Sequence, residues 1–117
     1  MVTHFLVATQ DMIDKQPDKL RAILLTRKQA VDYIYAHPKE AADVAAKRMV
    51  GVDKAVVERA VERLVKTKYW PEDGGLDQRS MSALQKVLLI TGQAKGPVDF
   101  KAMTDQRFLP PAVAHLK

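Results

Sequence analysis

Residues 17–38, PDKLRAILLTRKQAVDYIYAHP, decide the fold class of this chain. Apolar residues recur there every three or four positions, which places them on one face of a helix. The members of this face are Leu20, Ile23, Leu24, Val31 and Ile34, with Arg27 beside them. Pro17 suits the first helical turn, where no N–H is needed, and the His37-Pro38 pair ends the helix. The stretch therefore predicts one long amphipathic helix.

Further helices are predicted on both sides of this one, from residues that begin or end helices. The predicted starts are Thr9, Pro38, Asp53, Asp77 and Asp99, and the predicted ends include Gly51 and Gly92. The predicted buried positions on the later helices are Ala41, Val44, Ala45, Met49, Val56, Val57, Ala60, Val61, Leu64, Met81, Leu84, Val87 and Leu88. The sequence thus predicts a mainly α single domain over residues 1–117, a compact bundle of about five helices.

Composition agrees with a small helical domain. The 117 residues are 47% apolar but only 6% aromatic, so aliphatic side chains must fill the core, and disorder is not expected. There are 19 Lys and Arg against 14 Asp and Glu, giving a net charge of +5. Because the charges alternate along the chain, a solvated surface is preferred to a nucleic-acid patch. Cysteine is absent, which excludes disulfides and thiolate chemistry.

The N-terminal segment THFLVA, residues 3–8, is strand-like. A lone strand cannot satisfy its own backbone groups, so the segment frays, packs as irregular chain or pairs with another copy. It lacks the basic region and apolar length of a signal peptide, and no stretch is long enough to span a bilayer. We therefore expect no membrane insertion and, for the chain as written, a cytoplasmic location.

No pattern of catalytic or metal-binding residues stands out. His4, His37 and His115 are far apart, and neither metal-ligand spacing nor a glycine-rich phosphate loop occurs. The carboxylates of Glu72 and Asp73 are adjacent in one loop, which does not give an acid and a base different environments. We predict that the protein is not an enzyme and holds no metal and no cofactor.

A helix-turn-helix DNA binder is one alternative, suggested by residues 42–61, ADVAAKRMVGVDKAVVERAV. In the usual pattern a small residue precedes the turn glycine by four positions, whereas Ala46 precedes Gly51 by five. Glu58 and Glu62 on the second helix would also repel phosphates. Nucleic acid is therefore the least favoured partner.

Several phrases occur in a recognisable order along the chain. They are Asp11, Ile13, Pro17, Asp18 and Leu20; His37, Pro38, Glu40, Ala41 and Ala42; Gly75, Leu76 and Asp77; Thr91, Gly92 and Gln93; and Asp105, Arg107, Phe108, Leu109 and Pro110. Together they resemble the C-terminal part of ABC-transporter substrate-binding proteins of the NMT1/THI5-like class, relatives of the sulfonate, taurine and nitrate receptors. The resemblance extends over nearly the whole chain, which corresponds to about the last third of a family member.

The resemblance implies a fragment or stand-alone remnant of a two-lobe α/β periplasmic-binding-protein fold. Intact members are periplasmic, close on a small solute and deliver it to an ABC permease, so a permease partner is expected only within an intact receptor. No ligand-contact residue carries over position by position, and binding of a small anionic or organic solute remains open. The main alternative is a helical module for protein interaction or oligomerisation. Helices that once covered a sheet keep an apolar face, so we also expect a homo-oligomer using THFLVA and an exposed helix face.

The loop YWPEDGGLD, residues 69–77, holds the only tryptophan. Tyr69 and Trp70 are the candidates for ligand contact. We favour a structural role, in which these two rings close one end of the helical core.

Overall fold

The computed structural model of the chain describes residues 5–72 and 77–109. Six helices make up most of this part: α1 (Gln10–Lys15), α2 (Pro17–Ala36), α3 (Pro38–Arg48), α4 (Lys54–Lys66), α5 (Gln78–Ile90) and α6 (Phe100–Met103). Within these ranges no residue belongs to a β-strand. The predicted mainly α fold is confirmed. Residues 5–9 of the strand-like segment have no regular secondary structure, and residues 3 and 4 lie outside the described residues.

The helices begin where the sequence places their caps. Four side-chain oxygens accept a hydrogen bond from a backbone N–H in the first turn, each of which would otherwise lack a helical partner. These bonds are Met12 to Thr9 at 3.2 Å, Ala55 to Asp53 at 2.8 Å, Ser80 to Asp77 at 2.8 Å and Ala102 to Asp99 at 3.2 Å. Pro17 and Pro38 occupy the first turns of α2 and α3.

Neighbouring helices pack in chain order: α1 contacts α2, α2 contacts α3, and α3 lies along α4. Ala42 on α3 and Val57 on α4 are almost fully buried. The ammonium group of Lys54 lies 2.6 Å from Oδ1 of Asp43, so an ion pair also joins α3 to α4. The turn between these helices passes through Gly51, whose φ of +84° is a conformation that glycine adopts without steric cost.

The C-terminal segment returns to the N-terminal half of α2. Phe108 is buried, and the Arg21 guanidinium carbon lies 5.4 Å from the centre of its ring. Arg107 lies 5.6 Å from the same ring and forms an ion pair with Asp105 at 2.6 Å. A cation near an aromatic ring is attracted to the negative face of the ring. Residues 105–109 therefore dock on α2 through an aromatic side chain that has two guanidinium groups near its ring.

The buried core is small for the length of the chain. Among the described residues the buried apolar side chains are Leu20, Val31, Ala42, Val57, Met81 and Phe108. The radius of gyration is 16.6 Å, whereas about 13 Å is expected for a self-contained domain of this length. Large parts of the apolar helix faces therefore remain open to solvent.

Some positions predicted to be buried are exposed. Ile23, Val44, Met49, Val56 and Val87 each keep at least 40% of their accessible surface. Periodicity identified the apolar residues correctly, but burial depends on whether another element covers them. On α3 the residue that is covered is Ala42, one position beyond the predicted Ala41.

Candidate functional site

The connection after α4 folds back against α2 and forms what we call the aromatic corner, made of Tyr35, Lys68, Tyr69 and Trp70. α4 ends at Lys66, and the Thr67 hydroxyl donates to the carbonyl of Arg63 at 2.9 Å. Lys68 then has a φ of +50°, an uncommon conformation for a residue with a side chain. This turn directs Tyr69 and Trp70 towards the C-terminal half of α2.

The hydroxyl of Tyr35 fixes the backbone of this loop. It donates a hydrogen bond to the carbonyl oxygen of Trp70 at 2.6 Å and accepts one from the Trp70 N–H at 3.1 Å. Both backbone groups of Trp70 thus find their partner in one side chain of α2. Nearby, Nη2 of Arg27 donates to the carbonyl of Pro71 at 3.3 Å. Two side chains of one helix therefore position consecutive residues of the loop.

The rings of the aromatic corner pack edge to face. The ring centres of Tyr35 and Trp70 are 6.3 Å apart, and those of Tyr69 and Trp70 are 5.6 Å apart at an interplanar angle of 89°. Edge-to-face pairs are favoured because the positive edge of one ring meets the negative face of another. The Lys68 ammonium lies 4.4 Å from the Tyr35 ring centre and 2.6 Å from Glu72 Oε1. The hydrogen bond with Glu72 raises the pKa of Lys68, so this lysine stays charged.

Polar groups in the aromatic corner are thus largely satisfied by one another, which suits a structural joint between α4 and α2. Trp70 is half-buried, and Tyr69 keeps 45% of its surface exposed. Ligand contact by Tyr69 and Trp70 stays a prediction. Residues 73–76 of the same loop, which include the glycine pair, lie outside the described residues.

A shallow groove of about 600 Å³ runs along α4. Its lining consists of Val56, Arg59, Ala60, Arg63 and Leu64. Arg59 and Arg63 are one helical turn apart, and neither forms an ion pair with another residue of the described ranges. Guanidinium groups bind carboxylates and other oxyanions through paired N–H donors. Two guanidiniums beside an apolar floor can hold an organic anion.

A second groove, of about 450 Å³, lies between α3 and α4 and is lined by Asp43, Ala46, Lys47 and Lys54. The hydrogen bond and charge of Lys54 hold the pKa of Asp43 below its usual value, and Lys39 and Lys47 add to the effect. Lys54 also lies 3.6 Å from Glu58. Because its cation is already shared by two carboxylates, this groove has less free positive charge than the one along α4.

Sequence reasoning located some of these residues and missed others. It singled out Tyr69 and Trp70 from their composition, but it did not identify Tyr35 as their partner on α2. Arg59 and Arg63 are visible in the sequence as cations four positions apart. The pairing of Asp43 with Lys54 joins two helices across a turn, for which local spacing gives no signal.

The histidines show no common site in the described part of the chain. The ring of His37 packs on Tyr33 with centres 4.8 Å apart, and His4 and His115 lie outside the described ranges. Among the residues that the structure describes, no three His, Asp or Glu side chains are grouped to hold a metal ion. Nor is any helix in these ranges long and apolar enough to cross a bilayer.

Comparison with known proteins finds a family model that matches part of the chain. The model of the family described as NMT1/THI5 like matches residues 1–41, which include α1, all of α2 and the start of α3. No curated protein and no solved structure matches the chain. The match therefore supports the resemblance found in the N-terminal third and does not extend to the residues that follow.

Proposed function

We propose that this chain is part of a solute-binding protein of an ABC transporter, related to the NMT1/THI5-like proteins, and that it binds a small organic anion. The role is binding rather than catalysis. The observation that carries the proposal is the family match over residues 1–41. It includes the phrase from Asp11 to Leu20 on which the sequence resemblance rests, and this phrase forms α1 and the first turn of α2.

The open apolar faces of the later helices support this origin. Val87, Leu89 and Ile90 on α5 are all exposed, as is Val52 just before α4. Exposed apolar patches of this kind mark surfaces that contact something else. In a two-lobe α/β fold the faces of such helices lie on a sheet, which is the covering that these residues lack within the described ranges.

The groove of Arg59 and Arg63 supports an anionic solute. The two guanidiniums supply charge-assisted hydrogen bonds, and Val56 and Ala60 supply apolar contact for the remainder of the molecule. Sulfonates and carboxylates with a short hydrocarbon part have both features. A nitrate ion would use the guanidiniums alone, so we expect it to bind more weakly.

A thermal-shift screen against sulfonates, carboxylates, nitrate and pyrimidines tests the proposal. A ligand that binds only the folded state stabilises it by about 2.7 kcal/mol at 100 times its dissociation constant. We expect organic sulfonates or carboxylates to raise the melting temperature in proportion to the logarithm of concentration. No shift with any of the four classes at millimolar concentration would end the proposal for this chain.

Two charge-removing variants locate the binding site. Arg59→Gln and Arg63→Gln, each made alone, should weaken the shift, while Arg79→Gln on α5 removes the same single charge, serves as the matched control and should retain the shift. Isothermal titration calorimetry then gives the dissociation constants. An equal loss in the control would show that net charge, not the groove, attracts the anion.

The second candidate is a helical interaction module without a ligand, favoured by exposed apolar residues such as Val56 on α4 and Ile90 on α5. It predicts no thermal shift in the solute screen but concentration-dependent association with itself or another protein. For DNA we expect no retardation of any duplex in a low-salt gel-shift assay. Docking to an ABC permease is expected only for an intact receptor.

A further inference from the structure

The two arginines that line the groove of α4 lack the acidic neighbours that usually accompany cations on a helix. Residues three and four positions apart are neighbours on a helix surface. Around Arg59 and Arg63 only one of these neighbouring positions holds an acid, Glu62. In the described part of the chain, Glu62 forms no ion pair with either arginine. The other acid of α4, Glu58, lies 3.6 Å from Lys54 instead.

Positive charge therefore remains unbalanced beside the groove. Arg59, Arg63 and Lys66 fall within about 60° of the circumference of α4, since each residue turns the helix by about 100°. All three are exposed, as is Glu62. Three cations and one acid leave two positive charges without a partner. Like charges one turn apart oppose each other, so a solute with two negative charges relieves more of this repulsion than a monoanion does.

The shape of the two side chains indicates how those negative charges are distributed. A guanidinium is a planar fork of N–H donors that binds one carboxylate through two parallel hydrogen bonds. Arg59 and Arg63 both line the groove, and side chains in this relation leave the helix about 5–6 Å apart. Two carboxylates let the forks stay apart, whereas a single phosphate requires them to converge and increases their mutual repulsion.

The apolar floor of the groove accommodates the rest of the solute. Val56, Ala60 and Leu64 recur every four residues, so they form a row about 12 Å long beside the arginines. Ala60, the smallest of the three, is in the middle of the row. A short methylene chain that lies there loses contact with water. We propose that the solute of this groove is an aliphatic dicarboxylate, with one carboxylate on Arg59 and the other on Arg63.

This inference rests on the proposed anion binding and adds the second charge of the solute to it. Isothermal titration calorimetry on the whole chain compares glutarate with pentanoate, in which a methyl group replaces one carboxylate. We expect glutarate to bind about tenfold more tightly, because it gains a second charge-assisted pair. Butyl phosphate, a dianion with a single head group, should bind more weakly than glutarate.

Single substitutions show whether both arginines hold the same solute. Arg59→Gln and Arg63→Gln should each weaken glutarate binding about tenfold and pentanoate binding no more than about twofold, since the remaining arginine still takes one carboxylate. Arg79→Gln on α5 removes the same charge elsewhere and should change neither. Circular dichroism confirms that the variants keep their helices.

The outcomes separate the dicarboxylate from anion binding in general. Equal affinity for glutarate and pentanoate would overturn the dicarboxylate and leave the proposed function standing. Butyl phosphate that binds as tightly as glutarate would do the same, as would an equal loss of glutarate binding in Arg79→Gln. If no anion of any class binds, the proposed function fails together with this inference.

Discussion

The two sides of α2 differ in what holds them. On one side Leu20 and Val31 are buried, and the Tyr35 hydroxyl binds the backbone of Trp70 on the loop after α4. On the other side an arc that we call the open face is exposed to solvent; its members are Ala22, Ile23, Thr26, Ala30, Tyr33 and His37. Both sides are rich in apolar residues. They are distinguished by long-range contacts, which only the first side makes among the described residues.

Within one helix this difference separates residues that stabilise the fold from residues that contribute little to it. The side with the buried residues, which we call the closed side, is held by residues far away in the sequence. Phe108 packs near Arg21, and the Tyr35 hydroxyl fixes the backbone of Trp70. Such contacts form only when the chain folds. The open face contributes little to the stability of the fold, so its substitutions should affect folding little.

Truncation of a buried residue should give the largest effect. Leu20 is 5% exposed, so Leu20→Ala should lower the free energy of unfolding by about 2–5 kcal/mol through lost burial and a cavity. Ile23→Ala on the open face should lower it by no more than about 1 kcal/mol. Urea denaturation at low micromolar concentration, followed by circular dichroism, measures both. Equal losses would contradict the distinction between the two sides.

Two tyrosines on the two sides allow a closer comparison. Tyr35→Phe removes the hydroxyl that serves both backbone groups of Trp70, so it should cost about 1–2 kcal/mol. The Trp70 emission maximum should also move to longer wavelength as the loop loosens. Tyr33→Phe removes a hydroxyl from the open face and should change stability by less than about 0.5 kcal/mol. If both variants leave Trp70 emission unchanged, the hydrogen bonds of the aromatic corner do not hold the loop.

The limits of helices were predictable because the signals are local. A cap such as Thr9 or Asp77 acts on a backbone N–H within three residues, so the sequence alone identifies it. The same is true of proline at the first turn of α2 and of α3. Six helices rather than about five follow from these signals once α6 after Asp99 is counted.

Burial and the partners of the candidate residues were less predictable. The spacing of apolar residues predicts which of them face the core side of a helix, but it does not predict whether another element packs against them. Ile23 and Val56 have the predicted spacing and are exposed. The loop with Trp70 was identified from its composition. Its anchor Tyr35 lies 35 positions away and belongs to no motif. Contacts of this kind depend on how helices pack, which no single stretch of sequence specifies.

Acid should lower the free energy of unfolding by less than these substitutions do, because it protonates Asp105 in the segment that docks on α2. Its carboxylate accepts hydrogen bonds from the Arg107 side chain at 2.6 to 3.1 Å and from the Arg107 N–H at 3.0 Å. These bonds lower the pKa of Asp105 below its ordinary value of 3.8. A lowered pKa in the folded state means that the stabilisation is complete above the ordinary value. It is lost as the pH falls through the lowered pKa.

Urea denaturation at several pH values from neutral to about 2 should therefore show a loss of stability below pH 4, part of which comes from this pair. Asp105→Asn should flatten that part of the profile, and Arg107→Gln should flatten it less, because the backbone N–H of residue 107 still donates to the carboxylate. The effect should be small, since both side chains are near solvent. If Asp105→Asn alone flattens the profile while Arg107→Gln leaves it unchanged, the carboxylate is stabilised by the backbone N–H and not by the guanidinium. The segment would then depend on Phe108 and Arg21 to stay on α2.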